Sequence, residues 1–134
     1  MDQVELTIST EADLIRVRQL LRANCQSAGL GLVDETKLIT AGSELARNIL
    51  THSAASRGEV RVERVHAGSR IGVRATFFDN GPGIADLDAA LTDGFSTTGS
   101  QGIGLPGAQR LVDEMQITTA GGSSTTVVIV KWRR

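Results

Sequence analysis

Tyrosine is absent from this 134-residue sequence, and three phenylalanines and one tryptophan bring the aromatics to only 3%. With so few aromatics, no self-association patch can be read from periodicity. Cysteine occurs once, at Cys25, which excludes an internal disulfide and a Cys-cluster metal site and favours a reducing compartment. A cytoplasmic location is expected. A basic excess is also missing: fourteen Lys and Arg stand against fifteen Asp and Glu, for a formal net charge of -1. No nucleic-acid partner is therefore expected, because sequence-independent attraction to phosphate backbones needs that excess. The opening residues Met1 to Glu5 carry no basic segment before an apolar stretch, and no run approaches bilayer length; neither secretion nor a membrane partner is expected. The two histidines, His52 and His66, have no neighbours spaced for a metal cluster and are expected at the surface or core edge. What remains is 40% hydrophobic residues and fifteen glycines, enough for one domain spanning residues 1–134 with a proper core.

The order of elements follows from periodicity. Val4, Leu6 and Ile8 alternate as in a half-buried strand, and Thr10-Glu11-Ala12-Asp13 offers a capping box for a helix over residues 11–28. Gly29 and Gly31 punctuate its end. Asp34 is placed to cap a second helix running to about His52, with Leu38, Ala41, Leu45 and Ile49 on one stripe and Glu44, Asn48 and His52 along its edge. Residues 59–66 and 70–78 predict an antiparallel hairpin turning at Ala67-Gly68-Ser69. After a polar stretch to about Gln101, residues 105–115 predict a third helix, with Pro106 in its first turn, followed by strands over 116–120 and 125–132. Strands arriving in pairs imply an α+β two-layer sandwich, a mixed, mostly antiparallel sheet covered by helices on one face. The apolar run Val127 to Val130 suits a central strand. Phe77 and Phe78 should face opposite layers, and Trp132, among Lys131, Arg133 and Arg134, is expected at a sheet edge.

Three clusters carry candidate chemistry. Asp79-Asn80-Gly81-Pro82-Gly83-Ile84 ends an apolar strand. These are ordinary turn residues, but an acid at a strand end can also accept a hydrogen bond from an exocyclic amine, while Gly81 and Gly83 let a flat ring approach the backbone. The second cluster, Gly99 to Gly107, opens the third helix after Ser96, Thr97 and Thr98, where free backbone N–H groups attract phosphate. Gly102, Gly104 and Gly107 match the dinucleotide glycine spacing, yet no clear strand precedes them and no acid follows Glu114, so that fold is excluded. The P-loop signature and the motifs of ordinary protein kinases are absent too. In the third cluster, Glu44 and Asn48 lie four residues apart on one helix face. Such an edge is commonly only solvated, but Asn48 offers an oxygen to a hard cation such as Mg²⁺, and Glu44 could accept a hydroxyl proton.

Taken in order, Glu44-Leu-Ala-Arg-Asn48, Asp79-Asn-Gly-Pro-Gly83 and Gly102-Ile-Gly-Leu-Pro-Gly107 resemble the N box and the two glycine boxes of the GHKL ATPase superfamily, which includes DNA gyrase, histidine kinases and MutL. The resemblance implies a Bergerat fold binding ATP with Mg²⁺. Ser43 to Asn48, Asp93-Gly-Phe-Ser-Thr97, Gly104 to Gly107, Arg110 to Glu114 and the terminal Lys131-Trp132 narrow it to the stressosome switch kinases, over nearly the whole chain. It then implies Asn48 as Mg²⁺ ligand, Asp79 as acceptor of the adenine amine, Gly81, Gly83 and Ile84 under the nucleotide, and Glu44 as general base. Gly102, Ile103, Gly104 and Leu105 would present N–H groups to the phosphates, residues 86–101, with Ser96 and Thr97, would form an ATP lid, and Thr125 would support the adenine end. The implied activity is transfer of the γ-phosphoryl group to Ser or Thr of STAS-domain scaffold or antagonist proteins, followed by activation of a downstream phosphatase. A different function of the same fold is a nucleotide-gated, anti-sigma-like binding module with little phosphoryl transfer; Glu44 and Asn48, both present, argue against it.

Two positions depart from that pattern. Ser124 stands where the family usually has glycine, and residues 86–101 contain no Lys or Arg, so only hydroxyls and backbone N–H groups there can meet phosphate. Slow basal ATP hydrolysis is expected. Phe95 is expected to pack the lid or meet a partner, and Arg47, roughly 100° around the helix from Asn48, has no role assigned from sequence.

Overall fold

Alternation of apolar and polar residues builds the first strand, β1 (Gln3–Ile8), with Ile8 buried. The computed structural model describes residues 3–52, 58–79, 104–119 and 124–134. Helix α1 (Ala12–Ala28) follows, entered by half of a capping box. The Asp13 carboxylate accepts from the backbone N–H groups of Ser9 and Thr10 at 2.9 and 3.0 Å, whereas the Thr10 hydroxyl donates to Asp13 instead of capping a helix N–H. Those bonds hold the Asp13 carboxyl below the usual carboxylate range. At the other end Gly29 adopts φ +80°, Gly29 N–H donates to Gln26 and Leu30 N–H to Cys25. This is the 5→2 and 6→1 pattern that ends a helix through a left-handed residue, with buried Leu30 and Cys25 in the matching positions.

Helix α2 (Leu32–His52) begins two residues before the expected cap. Glu35 N–H bonds to the Gly31 carbonyl, so Gly31 is the cap residue and Asp34 lies inside the first turn. There Asp34 faces Lys131 at 3.5 Å and Arg134 at 3.9 Å, an ion-pairing role in place of a cap. The expected stripe of Leu38, Ala41, Leu45 and Ile49 is buried throughout.

Strands β2 (Gly58–Ala67) and β3 (Arg70–Asp79) form the hairpin. Its turn is the two residues Gly68 and Ser69, with Ala67 paired to Arg70 and Gly68 at φ +64°. A three-residue turn would slip the ladder by one and set buried Val60 opposite Thr76 in place of buried Phe77; burial selects the observed register. Phe77 and Phe78 do face opposite layers, the first buried and the second exposed.

The third helix, α3 (Gly104–Leu111), is shorter than predicted, and β4 (Glu114–Thr119) starts correspondingly earlier. The reason is Asp113, whose carboxylate accepts the Trp132 N–H at 2.7 Å and pairs with Lys131 and Arg134, while its own N–H donates to the Val130 carbonyl. Tying this residue to β5 (Thr125–Trp132) ends the helix and begins the ladder. The sheet order is β1-β2-β3-β5-β4, every pairing among the described residues being antiparallel. Strand β5 is therefore interior, as its apolar run suggests. Trp132 consequently does not lie at a sheet edge: it is buried, Arg70 covers its ring at 4.1 Å, and its indole N–H donates to Glu114.

Helices α1 and α2 pack on one face of the sheet, and α3 packs against α2. Core residues come alternately from that face of the strands (Val60, Val62, Val73, Phe77, Ile129) and from the stripes of α1 and α2. The opposite face carries cross-strand ion pairs, Glu5 with Arg61 and Glu63 with Arg74. Cys25 lies in the core, where burial, with Glu35 and Asp34 nearby, pushes its thiol up to about 12, so it is an apolar filler with no nucleophilic role.

Candidate nucleotide site

Two strand termini meet where β3 ends. Asp79, its last residue, is paired across the ladder with Gly58 at the start of β2 and with Thr125 at the start of β5. By strand parity Asp79 belongs to the face of Val73, Ala75 and Phe77, the helix-covered one. Thr125 is 5% exposed, and its hydroxyl oxygen is buried with no hydrogen-bond partner among the described residues. A buried hydroxyl left unpaired costs about 1–3 kcal/mol, so this atom calls for a polar partner beyond the described residues. An adenine seated against Asp79 meets that requirement, and the residues present therefore fit ATP.

The second wall is α2. Glu44 and Asn48 stand one turn apart on the flank beside the buried stripe. Glu44 is only 6% exposed and Asn48 is half-buried. No hydrogen bond or ion pair ties the Glu44 carboxylate to another described residue, which leaves it available as a proton acceptor. Among the described residues no three His, Cys, Asp or Glu side chains converge on a metal position. Asn48 as one neutral oxygen donor fits Mg²⁺ arriving with phosphate oxygens and water.

The third part is the start of α3. Gly104 opens the helix, and the Leu105 and Pro106 side chains are buried beneath it. Leu105 can therefore offer a ligand only its backbone, at the end of the helix where N–H groups lack internal acceptors. Gly81, Gly83, Ile84, Ser96, Thr97, Gly102 and Ile103, with the expected lid over 86–101 and Phe95, lie outside the described residues. Ser124 is half-buried directly before Thr125, and Arg47 is half-buried on α2.

The structure thus brings Asp79 and Thr125 side by side on one face and places Glu44 and Asn48 one turn apart on the helix over it. Sequence reasoning missed Gly58. The signal was present: counting outward from the Gly68-Ser69 turn pairs residues whose numbers sum to that of Ala67 and Arg70, and this puts Gly58 opposite Asp79.

Comparison with known proteins shows the family. Residues 33–133 match the family described as histidine kinase-, DNA gyrase B- and HSP90-like ATPase. The serine/threonine-protein kinase RsbT of Bacillus subtilis (strain 168) is 41% identical over 133 residues, covering 99% of this chain and 98% of that protein. Among solved structures, the RsbU and RsbW domains of Rv1364c from Mycobacterium tuberculosis superpose with a TM-score of 0.62 at 24% identity, over 98% of this chain and 33% of that one. The mycobacterial sensor histidine kinase MprB gives a TM-score of 0.59 at 18% identity, over 98% and 99% of the two chains. Both share the fold. With the polar ends of β3 and β5, the buried acid of α2 and a match along nearly its full length, the chain belongs to the histidine kinase-, gyrase B- and HSP90-like ATPase family and, within it, to the RsbT-type serine/threonine-protein kinases.

Proposed function

We propose that this protein transfers the γ-phosphoryl group of ATP to a serine or threonine of a STAS-domain scaffold or antagonist protein, and that the change of partner which follows activates a downstream phosphatase. One observation carries the nucleotide part of this reading: the buried Thr125 hydroxyl beside Asp79, which has no hydrogen-bond partner among the described residues. The protein acceptor is supported by the 41% identity to a serine/threonine-protein kinase.

ATP, when bound with Mg²⁺, supplies the phosphoryl group and the charge neutralisation that its transfer demands. Asp79 accepts the hydrogen bond of the exocyclic amine and so selects adenine, while Thr125 offers its hydroxyl to the same end of the ring. Gly81, Gly83 and Ile84 would bind the base. Asn48 would hold the cation through its amide oxygen. Backbone N–H groups from Gly102 to Leu105 would bind the phosphates, and Ser96 and Thr97 would offer them hydroxyls. Glu44 would take the proton from the substrate hydroxyl at its carboxylate as the oxygen attacks the γ-phosphorus and the bond to the β-phosphate oxygen breaks, releasing ADP. The whole apparatus occupies a single domain, residues 1–134, working in the cytoplasm. No helix of the described residues is long and apolar enough to cross a membrane.

Labelled ATP, Mg²⁺ and a STAS protein, incubated with wild type, Glu44→Gln and Asn48→Ala, test the assignment. Glu44→Gln should bind ATP yet lose about 10²- to 10⁴-fold in transfer, the ordinary worth of a general base. Asn48→Ala should lose Mg²⁺-dependent nucleotide affinity. Equal labelling by all three proteins removes both residues from the mechanism, and a wild type that binds ATP but labels nothing favours the nucleotide-gated binding module.

A further inference from the structure

We infer that Gly58, a residue outside all three sequence clusters, is a positioning residue that sets the spacing of the nucleotide cleft. The inference rests on the placement of adenine at Asp79 proposed above. Gly58 is paired directly with Asp79 across the β2–β3 ladder. A Cβ atom there would fall on the Phe78 carbonyl oxygen, and would lie 2.8 Å from Cγ2 and 3.2 Å from Cδ1 of Ile49. Neither neighbour can give way cheaply. The Phe78 carbonyl belongs to the peptide that leads into Asp79, inside a strand held on both sides by β2 and β5. Ile49 is a buried, β-branched residue with a stiff χ1 in the stripe of α2.

These two neighbours belong to the two walls of the site. Ile49 follows Asn48 in α2, and its side chain rests on bare backbone at Gly58; the Phe78 peptide carries the acid that reads the base. Glycine at 58 lets helix and sheet approach until Ile49 touches the strand, and that contact fixes how far the metal-binding amide stands from the adenine acceptor. Any side chain at 58 pushes α2 outward, or Asp79 along the ladder, or both. A misplacement near 1 Å is enough to cost on the order of 10²-fold in a positioned site.

The test is calorimetric titration of the purified protein with ATP and GTP in the presence of Mg²⁺, well below the unfolding temperature. Gly58→Ala should weaken ATP at least about tenfold and compress the preference for ATP over GTP, because discrimination depends on where Asp79 stands. Loss of stability alone lowers the unfolding temperature but leaves the ATP to GTP ratio of the folded protein intact. If Gly58→Ala yields no folded protein, Ile49→Val decides. Ile49→Val, which trims the contact by one methyl group, should weaken ATP about threefold and lower the ratio, while Ile129→Val, the same change in the core away from Gly58, should move neither. An unchanged ratio in folded Gly58→Ala, or Ile49→Val behaving like Ile129→Val, overturns the inference. Absence of ATP binding by wild type instead overturns the nucleotide site itself.

Discussion

Asp113 shows how one side chain can outweigh a helical pattern. Burial pushes its carboxyl up, but the Trp132 N–H, Lys131 and Arg134 together hold it below the ordinary carboxylate range. The native state therefore binds this proton less readily than the unfolded chain. Its stabilising contribution is complete above the unfolded value of about 3.9 and is lost as pH falls through the lower, folded one. Asp113→Asn should cost about 1–3 kcal/mol at pH 7, since Lys131, 5% exposed in its side chain, loses one of two carboxylate partners. Urea unfolding at pH 7 and again near pH 2 provides the check: the wild-type advantage should shrink at the lower pH, and a gap that stays constant would refute the linkage.

Elements are held apart or brought together by glycines that no local rule demands. Gly42, in the middle of α2, has Leu21 of α1 where its Cβ would go, with Leu21 Cδ1 at 2.5 Å and Phe77 Cζ at 3.4 Å. Replacing a mid-helix glycine by alanine ordinarily gains about 1 kcal/mol. Here the gain is opposed by overpacking against a fully buried leucine, which costs about 1–3 kcal/mol. The second effect wins, and Gly42→Ala should unfold at a lower temperature than wild type in calorimetry; a rise would mean that α1 and α2 separate more freely than their packing implies. Gly72 plays the same part on the opposite face of the sheet, where a Cβ would stand 2.7 Å from both the Lys131 carbonyl and the Trp132 ring.

Across the whole molecule, charge is spread unevenly for phosphoryl transfer. Residues 86–101, proposed as the lid, supply no Lys or Arg, whereas a cation placed on the transferring phosphoryl is worth about 10³ to 10⁵ in rate where one is used. The isolated protein should therefore hydrolyse ATP slowly and gain rate when a protein partner joins the complex. A coupled assay of ADP release, with and without a STAS protein, measures both rates; rapid turnover by the protein alone would contradict the argument.

Periodicity predicts the two long helices, the hairpin and the closing strand, because the stripe Leu38, Ala41, Leu45 and Ile49 and the run Val127 to Val130 obey local geometry, whereas the expected Asp34 cap gave way to Gly31. Motif order likewise pointed to Asp79, Thr125, Glu44 and Asn48, and the residues these motifs need are side chains whose chemistry is visible without coordinates. Long-range contacts decided the rest. Asp34 became an ion-pair partner of Lys131 once β5 lay beneath the start of α2. Trp132 became interior because β4 adds to the far side of β5. Gly58 acquired its meaning only when Ile49 settled on it. Local sequence sets what each segment can form, whereas close packing of buried surfaces sets which residues share a boundary, and that second condition involves pairs far apart in the chain.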